Sequence, residues 1–215
     1  MRELLLVMNP RRIEECLSAF RSLPIDRLWI RNMNEYQIQQ AWPDILELAA
    51  DYHDLIIASD DGIVRPHALA EVIRLLRAGH PVVTGYSNLS STDFRVNLTK
   101  RPTAPEPGVG AYDLYTLAEV MEYPTPEVPT FFAGMCITGM SHSMWQRYPF
   151  QVWDGAPGNA SDFVLSKRLC EDEIPMLAAR EAFVWHVKEV WNQADRDPRK
   201  ALYLHEASAL DLECV

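Results

Sequence analysis

The chain opens on a short apolar run, Leu4 to Val7, stopped by Asn9-Pro10, after which Ile13, Cys16, Leu17 and Phe20 recur at helical spacing until Pro24. A short unbroken apolar run suits a strand buried on both faces, and steps of three and four suit one face of a helix. The pattern therefore predicts strand, then helix. Leu28 to Ile30 reads as a second strand, and Asn34 can cap a helix in which Ile38, Trp42, Ile45, Ala49 and Tyr52 recur, kinked or split by Pro43. Leu55 to Ala58 predicts a third strand that runs straight into Ser59-Asp60-Asp61-Gly62. Pro66, the stripe Leu69, Val72, Ile73 and Leu76, and then Gly79 mark a helix from first turn to stop, and Pro81 to Thr84 a fourth strand.

Alternating strands and helices of this length imply right-handed crossovers and an α/β domain, with a mostly parallel central sheet flanked by helices. After Gly85 the pattern changes. Residues 86–130 hold Pro102, Pro105, Pro107, Pro124, Pro126 and Pro129, with a weak strand at Phe94 to Leu98 and a helical turn near Leu117. An irregular insert of this length is expected to be functional or mobile, here framing one side of a site and ordering around ligand. Phe131 to Thr138 predicts a buried strand, and Ser141 to Arg147 a short helix. Ser161 to Cys170 predicts a helix capped by Ser161 with Asp162 in its first turn. Ile174 to Leu177 and Phe183 to Val187 read as the last strands, and Asp197 to Leu212 as a helical tail. No repeat or linker interrupts the order, so residues 1–215 read as a single domain with its core at about 3–190.

Composition narrows the function. With 48% hydrophobic and 23% charged residues the chain is neither disordered nor fibrous, and a net charge of −10 does not invite a polyanion such as nucleic acid or an anionic membrane, so neither is expected as a partner. An anionic ligand would need a local trap such as a metal ion. The longest aliphatic run, Leu4 to Met8, is far short of the roughly 20 residues of a spanning helix and too short for a leader, so a cytoplasmic address is expected. Cys16, Cys136, Cys170 and Cys214 lie far apart, with no zinc-ligand spacing, and read as reduced packing thiols.

Three positions carry candidate chemistry. Ligands of open α/β sheets bind outside the carboxyl ends of the strands, where Asp60 and Asp61 stand; adjacent carboxylates repel unless a cation or proton lies between them, which suits Mg²⁺ or Mn²⁺. The same residues also suit a solvated Asp-Gly turn. His186 interrupts the apolar run Phe183 to Val187 as either a ligand or a half-buried strand residue. Asp162 is either a base at a helix start or a carboxylate that complements the helix dipole.

Taken in order, "DLIIASDDGIVRPHALAEVIRLL" (54–76), "FFAGMCITGMSHSMW" (131–145), "SDFVLSKRL" (161–169) and "FVWHV" (183–187) resemble the nucleotide-sugar glycosyltransferases of the GT-A fold, nearest the family 2 type. The resemblance covers roughly residues 3–190. It implies a Rossmann-like GT-A domain and a metal-dependent, inverting transfer of a sugar from a nucleoside diphosphate to a glycan or other hydroxyl acceptor. It implies an Asp-x-Asp metal motif at Ser59-Asp60-Asp61, with Asp61 as the metal ligand and Asp60 sharing duties with it. Ser59 departs from the motif. The resemblance further implies that His186 completes the metal site, that Asp162 is the base, and that Asn9 and Asn32 lie on the nucleoside side, with Lys188 on the diphosphate. Trp145 and Trp153 are candidates to stack on a sugar. A catalytically inactive glycosyltransferase-like binding or structural protein is the alternative; a nucleotidyltransferase is disfavoured because Met8-Asn9-Pro10-Arg11-Arg12 lacks the glycines of a phosphate loop.

Overall fold

The computed structural model describes residues 2–89, 94–102, 112–153 and 161–189, with only the backbone for 188–189 and 202–204. Strand β1 (Glu3–Met8) lies at the centre of the molecule's first half, every residue buried. Its neighbours, β2 (Arg27–Arg31) on one side and β3 (Asp54–Ser59) on the other, both run parallel to it. The chain thus steps outward from β1 in one direction and then in the other, opening a crevice at the carboxyl ends of these strands.

The crossovers are helical, as their periodicity predicts. Helix α1 (Glu14–Arg21) buries Cys16, Leu17 and Phe20. The next crossover splits where Pro43 stands, into α2 (Glu35–Gln40) and α3 (Trp42–Leu48). Asn34 and Gln37 cap α2 reciprocally: Asn34 Oδ1 accepts the Gln37 N–H at 2.9 Å and Gln37 Oε1 accepts the Asn34 N–H at 3.0 Å. After the two-residue strand β4 (Gly62–Ile63) comes α4 (Pro66–Arg77), with Pro66 in its first turn and Gly79 beyond its end at φ 95°.

Strand β5 (Val82–Tyr86) continues the parallel set, and the chain then departs into β6 (Arg95–Thr99), β7 (Leu114–Thr116), α5 (Leu117–Met121) and β8 (Glu127–Thr130). It returns through β9 (Thr138–Ser141), α6 (His142–Arg147), α7 (Ser161–Glu171) and β10 (Met176–Phe183). The main sheet has the order β2-β1-β3-β9-β5-β10-β8, with β9 and β8 antiparallel to their neighbours and the rest parallel. The α/β class with a mostly parallel sheet is therefore the one the sequence predicts.

Burial on both sheet faces explains why β1 is a continuous apolar run. Leu5 and Val7 point into the layer under α1 and α4, whereas Leu4, Leu6 and Met8 point into the layer under α2, α3, α6 and α7. A third cluster, which includes Tyr86, Val96, Leu98, Leu117 and Val128, seats the described part of the 86–130 insert against the sheet. That part has core packing of its own; the rest of the insert falls outside the described residues.

Three expectations are corrected. Ser161 does not cap α7: it is the first residue of the helix, and its buried Oγ has no hydrogen-bond partner among the described residues. Residues 131–137 are not a strand. Thr130 Oγ1 accepts the Phe132 N–H at 3.3 Å, Ser166 Oγ accepts the Ala133 N–H at 2.9 Å, and the Met135 carbonyl accepts the Ser59 N–H at 2.8 Å, so this backbone is captured by side chains and by the neighbouring strand end instead of by a ladder. The tail is not helical where it is described: β12 (Leu202–Leu204) pairs antiparallel with β11 (Trp185–Glu189), whose other edge pairs with β4. The other residues of 197–212 lie outside the described residues.

Close packing at Gly85 gives a stability prediction. A Cβ there would come within 2.7 Å of the Ala182 carbonyl oxygen and 2.4 Å of Ile137 Cγ2. Since backbone cannot yield cheaply, Gly85→Ala is expected to cost about 1–3 kcal/mol in denaturant unfolding, the usual range for overpacking.

Candidate functional site

A cavity of about 330 Å³ opens at the carboxyl end of the sheet, near the lower bound of ordinary ligand pockets. Ser59 and Asp61 reach it from the end of β3, His186 from β11, Arg11 from the turn after β1, Glu35 from the start of α2 and Asp162 from the start of α7. Each side chain stands where its element ends or begins, as the doubly wound topology requires.

The two adjacent aspartates do different work. Asp60 is 0% exposed, and its Oδ2 accepts the backbone N–H groups of Arg11 at 2.7 Å and Arg12 at 2.8 Å, while its Oδ1 accepts from the Arg11 guanidinium at 3.0 Å. Successive N–H groups converging on one oxygen form an anion nest, for which Arg12 takes a left-handed φ of 57°. Asp60 thus fastens the turn after β1, and its two oxygens are occupied. Asp60→Ala is expected to destabilise the fold by about 1–3 kcal/mol, the cost of leaving the Arg11 and Arg12 N–H donors without their acceptor, while the half-exposed Arg11 guanidinium turns to water, read by urea unfolding.

Asp61 faces the cavity. Its Oδ1 accepts the Ser59 hydroxyl, and its Oδ2 lies 3.2 Å from His186 Nε2 and 3.1 Å from an Arg11 guanidinium nitrogen. Burial opposes its charge, but the hydrogen bond to His186, the Arg11 charge and the Ser59 hydroxyl together hold its carboxyl down to about 2. The serine that departs from the expected acidic motif therefore has a physical task, donating to Asp61. The His186 contact is made by backbone register: β11 pairs His186 with Gly62, and the Val187 N–H donates to the Asp61 carbonyl at 2.7 Å.

Asp162, which lines the same cavity, occupies the first turn of α7 and accepts the Phe163 N–H at 2.9 Å. Burial and the charge of Glu35 push its carboxyl up to about 7. Glu35, which sequence reading passed over, accepts the Ser161 N–H at 3.1 Å through Oε2, and burial raises its own carboxyl. The available signal was an acidic residue directly after the capping Asn34, at a helix start beside the crevice. Phe163 then stacks edge-on against Phe132, centroids 5.1 Å apart, and against Tyr112 at 6.0 Å, making an aromatic wall beside Asp162. Cys136 also lines the cavity, but burial pushes its thiol up to about 12, so it is not a thiolate nucleophile.

The other candidates are placed elsewhere. Asn9 donates to Asn32 Oδ1 at 2.7 Å across the ends of β1 and β2, and Asn9 Oδ1 is buried without a partner; neither residue lines the cavity. Trp145 is fully buried and donates to the Leu55 carbonyl at 2.7 Å, which makes it core instead of a sugar platform. Trp153 is half-buried. Lys188 sits in β11, but its side chain lies outside the described residues, as does the loop at 154–160.

A divalent cation fits this donor set in a limited way. Asp61 Oδ2 and His186 Nε2 lie 3.2 Å apart in the cavity lining, and Mg²⁺ or Mn²⁺ commonly takes one or two protein ligands and completes its shell with water and phosphate oxygens. Among the described residues no cluster of three or more His, Cys, Asp or Glu could hold a metal, and Arg11, with its side chain 47% exposed, must release Asp61 for the cation to enter.

Among the described residues no helix is long and apolar enough to cross a membrane. No protein-family model matches the chain, and no curated protein matches its sequence. The structure is similar to the crystal structure of A197 from STIV, with a TM-score of 0.53 and 16% identity, over 87% of this chain and 86% of that one. A197 is a viral protein of glycosyltransferase-like fold, and this chain shares that fold.

Proposed function

We propose that the chain transfers a sugar from a nucleoside diphosphate sugar to the hydroxyl of a glycan or similar acceptor, with inversion at the sugar carbon. The observation that carries this reading is that Asp61 and Asp162 line one cavity, one carboxyl held down to about 2 and the other pushed up to about 7. Paired titratable groups driven apart in this way suit a division of labour between charge binding and proton transfer.

Asp61 and His186 would hold the cation, which when bound neutralises charge on the leaving diphosphate. Arg11, freed from Asp61, binds diphosphate oxygens, and Lys188 assists there. Asp60 keeps the Arg11 turn in place. Asn9 and Asn32, at the ends of β1 and β2 beyond the cavity lining, would stand on the nucleoside side, and the buried Asn9 Oδ1 would have to be uncovered before it could accept a base or ribose donor. Ionised Asp162 accepts the acceptor hydroxyl proton as the oxygen bonds to the sugar carbon and the carbon–oxygen bond to the diphosphate breaks, its electron pair leaving with the diphosphate. The aromatic wall of Phe132, Phe163 and Tyr112 flanks the acceptor and excludes water.

The Arg11–Asp61 ion pair favours a second reading, a nucleotide-binding protein without catalysis, because it neutralises the carboxylate that a cation would otherwise need. Incubation with a panel of sugar nucleotides and Mn²⁺ separates the two. Transfer chemistry predicts slow release of free nucleoside diphosphate with water as acceptor; binding without release supports the second reading.

A further inference from the structure

The two helix starts facing the cavity bring a second carboxylate to the base. Glu35 opens α2 directly after its capping Asn34, and its Oε2 accepts the N–H of Ser161, the residue before Asp162, across a sequence separation of 126. That N–H belongs to the first turn of α7, where no intrahelical partner exists, so Glu35 serves as a cap supplied from another element. It is therefore tied to the peptide that carries Asp162, and both carboxylates line the same cavity.

We propose that Glu35 is a positioning residue for Asp162: anchored on the Ser161 N–H, it fixes the start of α7 at the cavity wall, and its negative charge keeps Asp162 a strong enough proton acceptor to take the proton of a bound hydroxyl. This rests on the reading of Asp162 as the base. Two carboxylates in one partly desolvated site resist joint ionisation, so the charge of one strengthens the basicity of the other. The burial and charge effects found for Asp162 agree, since Glu35 is the charged group that raises it, opposed by the Phe163 N–H. The other titratable groups facing this region are Tyr112, whose hydroxyl is raised by burial and by Asp162, and Arg11 and Asp61, which bear on Glu35 with opposite signs. His186 and Cys136 lie along the rest of the lining.

The test needs no substrate. In the full chain labelled with ¹³C at Asp and Glu carboxyls, the Asp162 resonance is assigned by its loss in Asp162→Asn and followed through a pH titration. Glu35→Gln keeps an oxygen to accept the Ser161 N–H but removes the charge, so the Asp162 midpoint is expected to fall by about one pH unit or more. Glu35→Ala should produce the same fall and in addition speed amide exchange at Ser161, which Glu35→Gln should not. An Asp162 midpoint that moves less than about 0.2 units in both variants, below the effect expected of a neighbouring charge, overturns the proposal. Failure of the base assignment looks different: Asp162→Asn would then retain donor hydrolysis, whatever the titration shows.

Discussion

Asp162→Asn is expected to lower the rate of sugar transfer by about 10²–10⁴-fold while leaving Mn²⁺-dependent nucleotide affinity unchanged, because it removes only the group to which the proposed function assigns the hydroxyl proton. The pH dependence follows from the elevated carboxyl. Below about 7 the wild-type side chain holds a proton, so the transfer rate should rise with pH and level off once Asp162 is ionised. Stability moves the opposite way. A carboxyl raised from 3.8 to about 7 favours the folded state fully below the lower value, and that contribution is lost as pH rises through the higher one. The Asn variant does not share the loss, so its melting temperature should gain on the wild type above pH 7. If Asp162 only complemented the α7 dipole, the Asn variant would keep its rate, and measurement of donor hydrolysis beside thermal melting separates the two cases.

The second large effect is expected at Asp61. Asp61→Asn keeps the side-chain shape and an oxygen for the Ser59 hydroxyl, but removes the charge that pairs with His186 and that the proposed function assigns to a cation. Mn²⁺-dependent affinity for a nucleoside diphosphate should fall by at least about 100-fold, beyond the 10–100-fold typical of losing an outer-shell partner of a metal site. Thermal stability should also fall, because the Asp61 charge paired with Arg11 and His186 is lost, but by less than in Asp60→Ala, whose carboxylate is sealed beneath Arg11 and Arg12. Calorimetry with nucleoside diphosphate and Mn²⁺, repeated in EDTA, reads the effect. Equal wild-type affinity in both arms would assign diphosphate binding to Arg11 and exclude the cation.

The first half of the fold was readable in the sequence because its elements are local and buried on known faces. Leu4 to Val7 and Leu55 to Ala58 are continuous apolar runs since helices cover both sides of the sheet, and the stripe in α4 faces one layer only. Residues 131–137 misled because an apolar run carries no mark of the hydroxyls of Thr130 and Ser166 that capture its backbone. The tail misled because its spacing of Leu202 and Leu204 suits a strand as well as a helix, and the β11 edge decides between them. At the site, composition places acidic residues at a strand's end but cannot divide Asp60 from Asp61. The division comes from the turn after β1, which claims one carboxylate, and from the β4–β11 register, which brings His186 to the other across 125 residues. Glu35 was hidden for the same reason: its partner N–H is remote in sequence.

The central claim is that Asp61 and Asp162 are the two ends of one transfer site. A crystal grown with nucleoside diphosphate and Mn²⁺, with diffraction measured at the manganese absorption edge, tests it most directly. An anomalous peak at about 2.0–2.2 Å from an Asp61 oxygen and from His186 Nε2, with the diphosphate in the cavity between them and Asp162, is the predicted result. A nucleotide bound outside that cavity, or manganese ordered on other residues while Asp61 stays paired with Arg11, would contradict it.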